Sequence, residues 1–378
     1  MYKIVDADRH VTEPFALWAD YVDKDVFEKM PVHHITKTVE RQGNSISFQQ
    51  AMIADYPLFL HWNQEMQCAA ATLKRDGKME RYSTMQPTGQ LKSMDVSGVS
   101  KAYLLPTFAL EIVFHSEISS EVSIAYADAY NRWLNDYTSV APNRIKGVGI
   151  ISRHDPGSMI NQLEKIIALG WTAITIRPEV INGRIIGHPD YHPFYEACAK
   201  NNIAVILHGG THLYGTSVGS DRFRSRFGLH ACAHPIELQL AFVSLLDSGV
   251  LERNPTLKIG FLEGGCSWVP YWLWRLDNIC YPEFPSLVED NIKKLPSEYF
   301  KQHCWVTMEL HEPCIAEVIR YIGHKNLMFG SDYPHTDHLA FDPKSDFSDR
   351  PEFTEAILKD IFENNPVDLF EVPMGEIR

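Results

Sequence analysis

The chain has 378 residues, 45% hydrophobic and 22% charged, which excludes a disordered or fibrous polypeptide and allows either two or three domains or one large α/β barrel. Lys+Arg total 35 against 48 Asp+Glu, a formal net charge of −13; general binding to a phosphate backbone, which needs a basic face, is excluded. Seven cysteines without a CxxC pair argue against a disulfide scaffold or a thiolate zinc site and suit a reducing cytoplasm. Charges appear by the third residue, and no apolar run approaches the ~20 residues that span a bilayer, so neither a signal peptide nor a membrane segment is expected.

Short apolar runs bounded by Gly, Pro or Asn alternate with longer amphipathic stretches along the chain. Strands are expected at 3–8, 99–106, 145–151, 172–176, 203–208, 257–262, 305–308 and 327–330. Helices are expected between them, at 119–140, 155–169, 189–202, 234–250, 268–279, 313–322 and 352–364. Eight strands alternating with helices predict an α/β chain with a parallel sheet, and eight strands close into a (β/α)8 TIM barrel. The whole chain, 1–378, reads as one such domain. Residues 11–98 interrupt the alternation after strand one; rich in Met, Gln, His and aromatics, they are expected to form a mostly helical and loop insertion near the barrel mouth. Segments 217–230 and 281–302 read as smaller insertions, and 366–378 as a tail packed on the barrel.

The chemistry-bearing residues gather at strand ends. Asp8 and His10 lie two apart on the first strand, so they share a face, and a carboxylate beside an imidazole suits Zn²⁺, or Mn²⁺ in an oxygen-rich site. His208 ends the fifth strand before two glycines. Glu263 follows the sixth strand, again before two glycines, and Asp332 follows the eighth. Each has an ordinary structural alternative: a hydrogen-bonded strand-end His, a Glu paired with an Arg, an Asp capping a helix. Barrel active sites sit at the C-terminal strand ends, however, and four strands delivering such groups to one rim favour function.

Taken together, DADRHVTEP, LKSMDVSGVSKAYLLPT, ILHGG, SGVLERNPTLKIGFLEGGCSWVPYWLWRLD and MFGSDYPH make the chain resemble the amidohydrolase superfamily. The branch resembled is the amidohydrolase-related one that includes aminocarboxymuconate semialdehyde decarboxylase and the resorcylate-type decarboxylases. The resemblance implies a metal-bearing barrel with ligands Asp8, His10, His208 and Asp332, the last also able to shuttle a proton. Two departures stand out. Many members of that branch carry a His where this chain has Glu263, which could be a base, a substrate anchor or a metal contact; His230, His234 or His335 could supply the imidazole. Binuclear members carry a lysine after strand four, where this chain has Arg177; one divalent ion is therefore expected, Zn²⁺ first, with Mn²⁺ or Fe as alternatives.

Arg177 could grip a substrate carboxylate through two parallel hydrogen bonds, or pair with Glu179. His335, three residues after Asp332, and Trp268, on the aromatic sixth helix, are candidate substrate contacts; the alternative for Trp268 is burial of its helix. Glu13 suits orientation of a metal-bound His or capping of the helix that follows Pro14. One metal with Asp332 as proton acceptor could activate water for hydrolysis of a small organic substrate. The same site could decarboxylate an aromatic or enol acid. Glu263 as base or anchor tips the sequence reading towards hydrolysis. The long insertion and the aromatic sixth helix suit a homodimer.

Overall fold

The computed structural model describes residues 2–41, 44–59, 81–210, 217–335, 347 and 350–371. The first strand, β1 (Ile4–His10), is buried along its whole length. An inserted antiparallel sheet follows, made of β2 (Val32–Arg41), β3 (Asn44–Ile53) and the short β4 (Tyr56–Pro57). The remaining strands are β5 (Val99–Leu105), β6 (Ile145–Gly147), β7 (Gly149–Ile150), β8 (Ala173–Ile176), β9 (Ala204–His208), β10 (Ile259–Leu262), β11 (Cys304–Met308) and β12 (Leu327–Phe329). β6 and β7 are one strand interrupted at Val148, whose N–H donates to Leu104 O at 3.1 Å. The parallel order is therefore β1-β5-β6/β7-β8-β9-β10-β11-β12, an eight-stranded wall. The ring closes where Ser331 and Asp332 N–H donate to Asp8 O, and His10 N–H donates to Tyr333 O. This is the (β/α)8 barrel expected from the alternation.

The barrel interior is filled by alternate strand residues, among them Val5, Ala7, Tyr103, Leu105, Val148, Ile206, Leu262 and Met328. The C-terminal helix Asn365–Phe370 joins this interior cluster: Phe370 stacks on Tyr103 with ring centroids 3.8 Å apart. That bears out the packed tail as far as 371; residues 372–378 lie outside the described residues. Helices cover the outer face, and the buried side of Ser120–Ser139 carries Tyr126, Tyr130, Trp133, Leu134 and Tyr137, the period read from the sequence.

Two boundaries differ from expectation. The helix expected from 234 begins eight residues earlier, as Arg226–Asp247, because Ser225 caps it by accepting from Gly228 N–H. Pro235 then sits inside the helix rather than at its start. By length and composition this helix could cross a membrane. Here it packs along the barrel with His234 and Glu237 buried. The second difference concerns the insertion, expected as helices and loops. Among its described residues are short helices, Ala16–Tyr21, Lys24–Lys29 and Pro87–Ser97, and also the long β2–β3 hairpin. Ile35 and Val39, then Ile46, Phe48 and Met52, fall on alternate positions, but Lys37 and Gln50 interrupt the two series and make the run look like a loop. Residues 60–80 of the insertion lie outside the described residues. Gly98, at φ 72°, ends helix Pro87–Ser97 and turns the chain into β5.

A buried polar seam holds the ring closed. Asp6, fully buried, accepts from Ser331 N at 2.9 Å, Ser331 Oγ at 2.6 Å and Arg9 Nη1 at 3.2 Å. Arg9 also reaches Gln90 and Ser93 on helix Pro87–Ser97 and lies over the Tyr333 ring. Replacing Asp6 by Ala leaves the Arg9 charge buried without its carboxylate, and Asp6→Ala is expected to lower stability by about 3–5 kcal/mol. Urea unfolding checks this; an unchanged midpoint contradicts the seam.

Candidate metal and proton site

β1 delivers two ligands because its pairing with β5 is irregular between Asp6 and Arg9. Such a break re-aims side chains: Ala7 stays in the interior cluster, while Asp8 and His10 meet above it. Gly330 makes room, since a Cβ there would lie 2.6 Å from the Asp8 Cβ. His208 arrives as the last residue of β9. Asp332 follows β12 in a left-handed backbone conformation, φ 52°, and Glu263 follows β10 with φ 57°. Neither is a glycine, and each such position costs about 1–3 kcal/mol unless its surroundings impose it. The structure thus brings Asp8, His10, His208, Asp332, Glu263 and His335 together at one rim.

Ligand atoms from Asp8, His10, His208 and Asp332 lie within 4.8 Å of one another, all four residues buried. His10 Nδ1 lies 2.8 Å from Pro106 O, and His208 Nδ1 2.8 Å from Gly209 O. A carbonyl only accepts, so both rings donate from Nδ1 and turn Nε2 to the site. The two Nε2 atoms are 3.1 Å apart. His10 Nε2 is 3.4 Å from Asp8 Oδ1 and 3.3 Å from Asp332 Oδ1, and His208 Nε2 is 3.6 Å from Asp8 Oδ1. Donors about 2.1–2.2 Å from a shared ion stand roughly 3.0–3.6 Å apart. Asp8 Oδ1 is buried and has no hydrogen-bond partner, a costly state that a cation relieves. The donor set therefore fits a divalent metal ion.

The electrostatics agree. Burial opposes charge on His208, but Glu263 and Asp8 outweigh it and push its pKa up to about 10. Burial would raise the Asp8 carboxyl, but the neighbouring His10 and His208 imidazoles hold it well below the usual carboxylate range. A site that draws positive charge this strongly takes a cation where no proton is needed.

His335 extends the cluster. Its Nδ1 is 2.6 Å from Asp332 Oδ1, its Nε2 is 3.0 Å from Thr107 Oγ1, and its ring lies 4.0 Å from that of His10. Thr107 Oγ1 donates its one proton to Val11 O at 2.7 Å, so it accepts from His335 Nε2–H. Asp332 and His335 are thus hydrogen-bonded to each other beside the four-donor cluster. Thr107 was not singled out from the sequence; its position just past an apolar strand, on the rim that carries the chemistry, was the available signal. Glu13, fully buried, accepts from Thr107, Phe108 and Ala109 N–H and caps helix Phe108–Val113, which fixes Thr107.

Arg177 corrects an expectation. Its guanidinium is fully buried and bonded to both carboxylate oxygens of Glu179, to Glu111 Oε1 at 3.1 Å and to Gly210 O at 3.0 Å. It makes the pairing with Glu179 and is occupied there, rather than open to a substrate carboxylate. Trp268 also takes its alternative: Nε1 donates to Gly265 O and the ring packs on Phe261 and Phe300. His234 Nδ1 is 3.5 Å from Glu263 Oε2, and the His230 ring meets that of His234 edge-on.

A family model described as amidohydrolase matches residues 5–372 of the chain. The chain belongs to the amidohydrolase family. The chain is 30% identical over 209 residues to 2-amino-3-carboxymuconate-6-semialdehyde decarboxylase of Dictyostelium discoideum, a match covering 54% of this chain and 56% of that protein's length. Its fold is that of an amidohydrolase from Mycobacterium avium subsp. paratuberculosis, with TM-score 0.76, 21% identity and 99% of each chain covered. A dihydroxybenzoic acid decarboxylase from Polaromonas, crystallised with manganese and 2-nitroresorcinol, superposes with TM-score 0.67 at 18% identity, covering 98% of this chain and 97% of that one.

Behind the amidohydrolase rim, Glu237 faces the Arg177 cluster and accepts from Val218 N–H at 2.6 Å. Burial, then the nearby Glu179 carboxylate, raises its pKa from 4.5 to about 7. Folding thus favours the protonated acid, and its stabilising contribution is complete below pH 4.5 and lost as pH rises through about 7. Glu237→Gln mimics the protonated form at every pH. Its stability is expected to match the parent below pH 4.5 and exceed it increasingly up to pH 8; parallel pH–stability curves contradict the assignment.

Proposed function

We propose that this amidohydrolase is a metal-dependent carboxy-lyase, releasing CO₂ from a small aromatic or enol carboxylic acid. The observation that carries the reading is the Asp332–His335 pair, hydrogen-bonded at 2.6 Å beside the four-donor cluster. The resemblance to a decarboxylase over about half the chain supports the same reaction class. Hydrolysis, the first reading of the sequence, leaned on Glu263 as a base or substrate anchor. That carboxylate is instead engaged by His208 at 3.0 Å and has His234 at 3.5 Å.

Asp8, His10, His208 and Asp332 would hold the ion. A divalent cation there supplies positive charge that orients a phenol, enol or keto oxygen of the substrate. The chain's residues do the rest. The carbonyls of Pro106 and Gly209 take the Nδ1–H of His10 and His208 and aim each Nε2 at the ion's position. The bond to the departing carboxylate breaks, its electron pair stays on the ring or enol carbon, and the proton held between Asp332 Oδ1 and His335 Nδ1 passes to that carbon. His335 regains a proton from solvent while Thr107 holds its orientation. Two carboxylates and two imidazoles suit Zn²⁺, Mn²⁺ or Fe²⁺, and the manganese in the Polaromonas enzyme supports assaying with Mn²⁺ first. Tyr271 and Trp274, exposed side by side on helix Trp268–Arg275, support a homodimer.

The reading is tested with Mn²⁺-loaded protein and a panel of hydroxybenzoates and enol carboxylates. Substrate loss matched by released CO₂ is expected. Asp332→Asn should abolish turnover, and His335→Gln should lower kcat about 10²–10⁴-fold with little change in KM. Turnover that adds water and releases no CO₂ would return the chain to hydrolytic or hydrating chemistry.

A further inference from the structure

Glu263 is the residue by which the rim departs from the decarboxylases the chain resembles, and its geometry assigns it a role. Its Oε2 lies 3.0 Å from His208 Nε2. The His208 Nδ1 is taken up by Gly209 O, so Nε2 is the ring nitrogen turned to Glu263. A carboxylate oxygen and an imidazole nitrogen turned to one place are two donors available to one cation. The separation also equals an edge between adjacent ligands of one ion, about 3.0 Å for donors at right angles roughly 2.1 Å from it. Glu263, His10, Asp332 and His335 further offer ligand atoms within 4.8 Å of one another, so Glu263 shares two members with the four-donor cluster.

The backbone repeats the device that presents Asp332. Both acids follow an apolar strand, and both hold a left-handed conformation that non-glycine residues rarely adopt, φ 57° at Glu263 and 52° at Asp332. Glu263 is pinned there by its N–H donating to Thr307 Oγ1 at 3.2 Å, and its side chain is only 11% exposed. A base acting on a substrate needs a carboxylate open to it; this one is turned into the ligand shell.

We infer that Glu263 is a fifth ligand of the metal ion, joining Asp8, His10, His208 and Asp332. This rests on reading the rim as a metal site, not on the reaction. Three carboxylates and two imidazoles carry a net charge of about −3, which a divalent ion reduces to about −1. Five protein donors exceed the four-coordinate arrangement usual for structural zinc and leave one position of a six-coordinate ion. The substrate would then meet the metal through a single oxygen. The arrangement also removes a conflict: a metal-bound Glu263 has its charge neutralised and does not repel a substrate carboxylate.

The test uses full-length protein stripped of metal and reloaded with Co²⁺ or Mn²⁺, comparing the parent with Glu263→Gln and Glu263→Ala. The parent should show the weak visible bands of five- or six-coordinate Co²⁺. Both variants should shift to the stronger bands of a four-coordinate ion. Their Mn²⁺ affinity, read from the free-ion paramagnetic resonance signal, should fall about 10–100-fold. Circular dichroism confirms that each variant is folded; if the alanine variant fails to fold, the near-isosteric glutamine variant decides. A parental spectrum and affinity in Glu263→Gln overturn the inference and leave the carboxy-lyase reading standing, as would a parent that binds neither ion overturn it. Altered cobalt bands in an enzyme that releases no CO₂ uphold the ligand while the reaction fails.

Discussion

Two imidazole Nε2 atoms, each aimed by a backbone carbonyl that takes the Nδ1–H on the far side of the ring, face each other 3.1 Å apart inside a ring of carboxylates. Nitrogens and carboxylates packed this closely, with Asp8 Oδ1 buried and unpartnered, are stable only around a positive charge. Much of the architecture serves that constraint. The broken pairing of β1 turns Asp8 and His10 to one place, the β9 terminus supplies His208, and a left-handed backbone after β12 supplies Asp332. The closing bonds from 331 and 332 to Asp8 O tie the first and last ligands to the same seam that shuts the barrel.

The surrounding charges are organised to keep this cluster in place rather than to meet a ligand themselves. Arg177, with Glu179 and Glu111, holds Gly210 O just beyond the carbonyl that orients His208. Glu13 caps helix Phe108–Val113 and thereby sets Thr107 against His335. These buried acids and the arginine look like binding groups in a sequence, because the same residue types serve both purposes. Only their partners distinguish them.

The barrel was legible because each of its strands is a short apolar run closed by a helix breaker or a polar residue, and the period changes cleanly between strand and helix. The ligands were legible for a related reason: His208, Glu263 and Asp332 are polar residues placed where an apolar strand has just ended. The hairpin β2–β3 was not, since its alternate positions are polar and much of it is exposed, so burial leaves little apolar pattern. Thr107 escaped notice because a hydroxyl carries no charge to mark it. Arg177 was ambiguous until Glu111, 66 positions away in the chain, appeared beside it. The proposed reaction moved from hydrolysis to decarboxylation for a geometric reason: Glu263 faces His208, and Asp332 and His335 lie 2.6 Å apart beside the donor cluster.

The measurement that bears most directly on this account is a crystal structure of Mn²⁺-loaded protein with anomalous diffraction recorded at the manganese edge. The account predicts one anomalous peak per chain, within about 2.0–2.4 Å of Asp8 Oδ1, His10 Nε2, His208 Nε2 and Asp332 Oδ1. No peak at this rim, or a peak bound by other residues, would contradict it.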